Sequence, residues 1–439
     1  MEIIDYREPD YERRIAALNR RVEPLADVRE LVADVVSDLK ARGDVALLEF
    51  AKKFDGVEFG DGAAMRVSEE EFEAAAGQVD EAMRKALAES RQNVREFAEK
   101  SMRRDWKGTN SHGAMVGEVF RPFQRVGIYV PGGTAPLVSS ANMTVVLAAA
   151  VAVPEIVVCT PSNSEGEVNP VLLYALREAG ATEVYKVGGA QAIAAMAMGT
   201  ETIGPVVKVF GPGNSYVVEA KRQVFGMVAV DLLPGPSEIL TLADESGNAA
   251  WIAADLLAQA EHGGDSVVVF LTDSETLLWN VKAELEEQAK SLTREGPVRA
   301  VLDSGVQLAL VASLEEGAKV VDAFAPEHLS LICASEAREE EVMGLVHTAG
   351  AIFLGNYSPV AVGDFVAGPS HELPTGGAGK SFGGLTVDQF QRRTSVVRYD
   401  AESIGKAIPV IERFTAVEGL DGHGRSARVR GETAAPANL

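Results

Sequence analysis

Apolar residues recur every three to four positions over Asp27–Arg42 (DVRELVADVVSDLKAR), the stripe of a helix buried on one side, and Gly43 supplies a stop. Ser68 with Glu71 three residues on has capping-box spacing, ahead of two helical stretches between Ser68 and Lys100. Beyond them short β-branched runs alternate with helical segments. VGIYV (126–130), EIVVCT (155–160), EVYKV (183–187) and VVKVF (206–210) each precede a helix, near Ala141–Val151, Val171–Ala179, Ala190–Met198 and Ser215–Phe225. A second block repeats the alternation with EILTLA (238–243), SVVVFLT (266–272), VRAVLD (298–303), HLSLICA (328–334) and AIFLG (351–355). Its helices fall near Ala249–Glu261, Glu275–Lys290, Leu314–Phe324 and Glu336–His347. Strands without polar alternation, separated by helices, imply parallel sheets covered on both faces. The predicted fold is α/β, with two Rossmann-like domains and small N- and C-terminal helical segments. The charged first 25 residues read as an accessory segment. The chain ends in a helix near Glu402–Thr415, a polar stretch and a frayed tail, GETAAPANL.

Composition narrows the function classes. Of the 439 residues, 46% are hydrophobic and 24% charged, ordinary for a globular protein and long enough for two to four domains. The formal charge of −23 argues against nucleic acid or an anionic membrane as the main partner. Two cysteines, Cys159 and Cys333, both in apolar runs, exclude a disulfide framework and a tetrathiolate zinc site and read as core thiols. The start, MEIIDYREPDYERR, has no apolar signal core, and ANMTVVLAAAVAVPEIVV, the nearest to a membrane span, is interrupted by Asn142, Thr144 and Pro154.

Candidate chemistry sits in glycine- and proline-punctuated windows. The strand-end turns VPGGT, VGGAQA and FGPGNSY lie where open α/β sheets bind ligands. None is the GxGxxG fingerprint with a downstream acid, so nucleotide binding is one reading and simple turns the other. DLLAQAEHGGDS puts Gln259 and His262 three apart, able to meet one metal ion or to form an exposed polar turn. APEHLSL sets Glu327 beside His328, a pair suited to proton transfer or a solvated turn. SPVAVGDFVAGPSHELP, in a long ordered loop, holds Asp364 and His371, and EGLDGHG holds Glu418 and His423. GPSE lacks the second glycine of a nucleophile elbow, so Ser237 reads as a hydrogen-bond donor. His112 and His347 read as structural or solvated.

Taken together and in order, YVPGG, VGGAQAIAA, FGPGN–YV–EAKRQV, GPSE, D–LAQAEHG–DS, APEHL, VGDF–AGPSHELPT and EGL–H resemble the histidinol dehydrogenase family, from about Val28 to Arg428. The resemblance implies a zinc-dependent, NAD-linked four-electron oxidation of L-histidinol through its aldehyde to L-histidine, the last steps of histidine biosynthesis. It implies one Zn2+ per subunit on Gln259, His262, Asp364 and His423, with the metal holding the substrate's imidazole and amine. His328 would be the general base for the alcohol and Glu327 would activate water for the aldehyde. NAD contacts would come from Tyr129, Gln191 and Asn214. Substrate contacts would come from Ser237, His371 and Glu418, together with Gln259, His262, His328, Asp364 and His423. The implied domains are residues 26–128 with 238–384 (metal and substrate side), 129–237 (NAD side), an accessory 1–25, and a C-terminal 385–439 exchanged between subunits of a cytoplasmic homodimer with shared active sites. Pro234 and Ser370 stand where the family usually has alanine and asparagine. They leave room for a paralogue oxidising another small alcohol, such as a sulfonated diol. A silent metal-dependent binding protein is a further class, against which the retained Glu327 and His328 argue.

Overall fold

Strands Arg125–Tyr129, Glu155–Thr160, Glu183–Lys186, Lys208–Phe210 and Ala229–Val230 form a wholly parallel sheet. Numbered along the chain, its spatial order is third, second, first, fourth, fifth. The computed structural model describes residues 1–19, 26–132 and 137–432; parts of the accessory segment, the VPGGT turn and the tail lie outside them. Strands Glu238–Ala243, Val267–Thr272, Val306–Leu310, His328–Ile332 and Ala351–Leu354 build a second parallel sheet in the same order. Glu2–Asp5 joins it as a sixth strand beside Val306–Leu310. The expected α/β fold with two Rossmann-like sheets is therefore present, and the two sheets share one strand order.

Both faces of the second sheet are covered. Helices Ala249–Ala260, Glu275–Gln288 and Glu295–Ser304 bury Leu256, Val281 and Val301 on one side, and Leu314–Phe324 buries Val321 and Phe324 on the other. The helix Ala26–Arg42 takes its apolar stripe, Val28, Val32, Val35 and Leu39, to the first sheet, where it packs with Tyr129, Ile193 and Val217. The resemblance groups this helix, within 26–128, with 238–384; its own apolar contacts are to the sheet of 125–230. The N-terminal accessory segment begins as a sheet strand because Ile4 is buried among Val269, Ala309 and Leu329. VRAVLD is helical, since Val298 and Val301 face one core at three-residue spacing; the strand follows at Val306–Leu310. Both cysteines are buried thiols, with burial holding Cys333 at a pKa of about 12.

Contacts divide the chain into two units: Met1–Ser101 with Gln124–Gln389, and Met102–Phe123 with Phe390 onward. In the second unit Trp106–Thr109, Met115–Pro122 and Gln391–Arg398 make an antiparallel sheet. Helices Ala401–Glu418 and Asp421–Glu432 pair there, so the C-terminal piece carries a strand as well as helices, and the expected polar stretch is a second helix. Gly424 allows their close approach, since a Cβ would lie 2.8 Å from Thr415 Oγ1. Among the described residues no helix is long and apolar enough to cross a membrane.

The predicted capping box is made: Glu71 N–H donates to Ser68 Oγ, and Ser68 N–H to Glu71 Oε2 at 2.8 Å. Ser68→Ala should lower stability by about 1 kcal/mol without altering activity, read from urea unfolding midpoints. An unchanged midpoint would mean that packing alone holds the helix Glu69–Gln78.

Candidate active site

The chemistry-bearing residues of the second sheet gather at the amino ends of its strands, opposite to the edge at which such folds usually bind ligands. His328 opens its strand, in register with Ile239 and Ala351, so its ring falls at the switch between the first and fourth strands. It is 4% exposed. Its Nδ1 lies 3.0 Å from the Glu238 carbonyl oxygen, which only accepts, so Nδ1 carries the proton. Nε2 is left as a lone pair, 3.9 Å from Asp364 Oδ1. Burial lowers the basicity of His328, with Asp364 opposing, and the imidazole is neutral at pH 7.

Glu327 is buried beside it, and Glu238 N–H donates to its Oε2 at 2.8 Å. Burial raises its pKa well above the usual carboxylate range, and the charges of Glu238, Asp364 and Glu372 add to that. Glu238 therefore aligns both residues, through its backbone N–H and its C=O. Its own carboxylate accepts from Gly376 N–H at 2.8 Å and ties down the loop that carries His371. The sequence reading took Ser237 from GPSE and missed Glu238, because its role lies in the main chain. Ser237 precedes the strand, and its carbonyl accepts from Val267 N–H.

Gln259 sits in the last turn of Ala249–Ala260, 2% exposed, and His262 follows on the open turn beyond the helix end. His262 N–H still bonds the Gln259 carbonyl, at 3.3 Å. His262 is solvent-exposed, yet the neighbouring protein shifts its basicity downward, with Asp364 opposing and His371 adding, so these groups share one neighbourhood. Asp364 lies in the short helix Val360–Phe365, whose first residue, Val360, donates its N–H to Asp255. Burial pushes Asp255 up to about 6. Asp255, also absent from the sequence candidates, thus joins the Gln259 helix to the Asp364 helix.

His371 Nδ1 donates to the Asp364 carbonyl at 3.1 Å, and its Nε2 faces Ser140 Oγ at 3.2 Å and Glu372 Oε1 at 3.5 Å. Burial works to lower its basicity, yet Glu372 and Asp364 carry it above the ordinary imidazole value. Ser370, at the departure from the family pattern, donates to Met143 O at 2.9 Å and accepts from Glu372 N–H, so it braces the loop. Pro234 precedes the GPSE turn, where Thr375 Oγ1 accepts from Gly235 N–H.

Among the described residues no three His, Cys, Asp or Glu side chains are gathered closely enough to hold a metal ion by themselves. The donor set nonetheless fits a cation. The buried Gln259 amide nitrogen has no hydrogen-bond partner, so the amide gains by turning its oxygen toward an ion. Imidazole and carboxylate donors beside it suit zinc. His423 stands in the first turn of Asp421–Glu432 and Glu418 ends Ala401–Glu418; both are exposed in the second unit. Of the remaining histidines, His347 pairs with Asp322 at 2.8 Å and His112 lies 3.4 Å from the Tyr399 hydroxyl.

At the carboxyl edge of the first sheet a cleft of about 800 Å³ is lined by Asp55, Gly132, Pro161, Asn163 and Glu167. Tyr129 ends the central strand; its hydroxyl accepts from Gly189 N–H at 3.2 Å, and burial raises its pKa to about 12. Gln191 donates to Asp55 Oδ2 at 3.2 Å, at the cleft wall. Asn214 follows the neighbouring strand across the switch point; its Oδ1 caps Ser215–Val224, leaving the NH2 to offer a ligand. A Cβ on Gly132 would lie 2.6 Å from Thr160 Oγ1, and one on Gly188 2.8 Å from Pro161, so glycine lets the backbone line this cleft. Asp55, the partner of Gln191, lines the cleft, whereas Tyr129, Gln191 and Asn214 are not among its lining residues.

A family model described as histidinol dehydrogenase matches residues 18–431. Histidinol dehydrogenase of Geobacillus kaustophilus (strain HTA426) is 41% identical over 415 residues, covering 94% of this chain and 96% of its own. That of Bacillus subtilis (strain 168) is 41% identical over 402 residues, covering 92% and 93%. The crystal structure of histidinol dehydrogenase from Elizabethkingia anophelis superposes with a TM-score of 0.93 at 34% identity, covering 99% of this chain and 98% of that one. Identity at this level over nearly the whole length, with the same fold, makes this chain a member of the histidinol dehydrogenase family.

Proposed function

We propose that the chain oxidises L-histidinol through its aldehyde to L-histidine, with NAD as electron acceptor and one Zn2+ per subunit. The observation that carries the proposal is His328, a neutral, buried imidazole whose Nδ1–H is committed to the Glu238 carbonyl and whose Nε2 lone pair remains for a substrate proton. Gln259, His262 and Asp364, with His423 of the partner subunit in a homodimer, would hold the zinc, whose Lewis acidity anchors the substrate's imidazole and amine. Bound NAD supplies the hydride acceptor for both oxidations. Tyr129, Gln191 and Asn214 would contact it at the carboxyl ends of the first sheet's strands, where open α/β sheets bind ligands.

In the alcohol step His328 Nε2 takes the hydroxyl proton. In the aldehyde step Glu327 takes a proton from the water that adds to the carbonyl. Burial raises its basicity toward the pH at which it must accept that proton. Ser237, His371 and the partner's Glu418 would orient the substrate. His371 is itself held by Asp364, Ser140 and Glu372.

Two measurements test this reading. Expression in a histidine auxotroph lacking its own enzyme should restore growth on histidinol; failure to rescue, with activity on another alcohol in a substrate panel, would point to the sulfonated-diol paralogue. Chelation should abolish NAD reduction by histidinol, and added zinc should restore it. Undiminished turnover by metal-free protein, verified by elemental analysis, would remove the zinc assignment, and inertness of the zinc-loaded protein toward every alcohol tested would favour a binding protein.

A further inference from the structure

We infer that the buried ion pair Lys221–Asp231 is a positioning device for the cofactor half of the site, fixing the turn Gly211–Asn214 above Tyr129 so that NAD is bound at the switch point. The inference rests on the NAD reading above. It concerns residues that would not themselves touch the ligand.

Lys221 projects from the helix Ser215–Val224 into the protein and is fully buried. Its ammonium pairs with the carboxylate of Asp231, itself 3% exposed, directly after the last strand of the sheet. The pair converges on one residue. Lys221 Nζ donates to the Gly211 carbonyl at 2.8 Å, and Gly211 N–H donates to Asp231 Oδ2 at 2.7 Å. Both main-chain polar groups of Gly211 are thus held by opposite charges. Gly211 has a φ of +106°, and a Cβ there would lie 2.0 Å from the Tyr129 carbonyl oxygen. The chain leaving the fourth strand therefore passes against the end of the first strand, with no space to shift inward. Three residues on stands Asn214, whose side chain starts the helix that carries Lys221. Strand end, turn, cap and helix form a loop closed by the ion pair. Lys208, a second cation near Asp231, donates to the Gln389 carbonyl at 3.3 Å and lies over the Phe210 ring, so it does not replace Lys221.

A buried ion pair is seldom retained for stability, because apolar residues of similar volume commonly serve the fold as well. What apolar residues cannot do is grip both the N–H and the C=O of a turn glycine. This separates positioning from a merely structural role. The full-length, zinc-loaded protein should be made as wild type, Lys221→Met, Lys221→Arg and the double variant K221M/D231L. NADH binding would be followed by nucleotide fluorescence, alongside KM for NAD, KM for histidinol and kcat.

K221M and K221M/D231L should weaken NADH binding and raise KM for NAD by about tenfold to a hundredfold, the scale expected for a slip of about 1 Å at a binding site. KM for histidinol and kcat at saturating NAD should stay within about twofold of wild type, since the altered step is binding. K221R, which keeps a donor and a charge, should recover most of the affinity. Wild-type NADH affinity in either folded methionine-bearing variant would overturn the inference, as would a parallel fall in kcat. If K221M does not fold, the double variant, which leaves no buried unpaired charge, decides; if neither folds, the pair is structural and the inference is overturned. A wild-type protein that binds no NADH at all would instead remove the NAD reading on which the inference stands.

Discussion

Replacing His328 by Asn should lower kcat for histidinol oxidation by about 10²- to 10⁴-fold, the usual contribution of a positioned general base. Asn is the informative choice because its amide NH2 can still donate to the Glu238 carbonyl, which now receives the Nδ1 proton at 3.0 Å. The strand register with Ile239 and Ala351 is main-chain pairing and should survive. Zinc content should remain near one per subunit, since the proposed ligands are other residues; loss of zinc in this variant would show that His328 had been given the wrong role. The wild-type pH profile supplies an independent check. Burial disfavours the imidazolium form, so the acid limb of kcat/KM should fall below the ordinary imidazole value near 6.5. The base is neutral and active above that limb and protonated and inactive below it. The limb should disappear in the Asn variant, and its persistence would assign it to another group.

The residues that made this site legible in the sequence are those with chemistry in their own side chains. His328, Glu327, Asp364, His371, Gln259 and His262 stood out because imidazoles, carboxylates and an amide sat beside Gly or Pro in windows that resemble one family. Ser140, Glu238 and Asp255 joined them only through the fold: Ser140 meets His371 across 231 residues of chain, and Glu238 meets Glu327 across 89. No local pattern encodes such pairings, and for Glu238 even the side-chain type is irrelevant to the two bonds it makes through its main chain. The same distinction runs through the fold. The helices Ala26–Arg42 and Leu314–Phe324 were legible because each buries one stripe, and the Ser68 cap because its partner is three residues away. The antiparallel sheet of the second unit was not read at all. Trp106–Thr109 is exposed along its whole length, and Gln391–Arg398 pairs with Met115–Pro122 from far along the chain. A strand held by main-chain bonds to a distant partner has no need of the apolar alternation by which strands are recognised.

Glu327→Gln should separate the two oxidations. Gln keeps the shape of the side chain and an oxygen to accept from Glu238 N–H, now bonded to Glu327 Oε2 at 2.8 Å, but it cannot take a proton from water. Oxidation of histidinaldehyde, which needs water added to the carbonyl, should fall by about 10²- to 10⁴-fold. First-turnover formation of NADH from histidinol, which needs only His328, should fall by less than about tenfold. Single-turnover absorbance measurements with each substrate supply both rates, and aldehyde trapped from the variant should accumulate. Equal losses in the two steps would withdraw the water-activating role from Glu327. Stability gives a second, opposite sign. The carboxyl is buried among Glu238, Asp364 and Glu372, an environment that resists its ionisation. Because the folded-state pKa is raised, Glu327 destabilises the fold progressively as pH rises through the ordinary carboxylate range toward that raised value. The amide removes this penalty, so E327Q should match or exceed wild type in thermal midpoint at pH 8, and its advantage should shrink as the pH is lowered toward 4.5. A variant less stable than wild type at pH 8 would mean that the carboxylate is compensated in the folded protein. The same environment would then no longer explain why this residue, and not a more exposed acid, was available as the base.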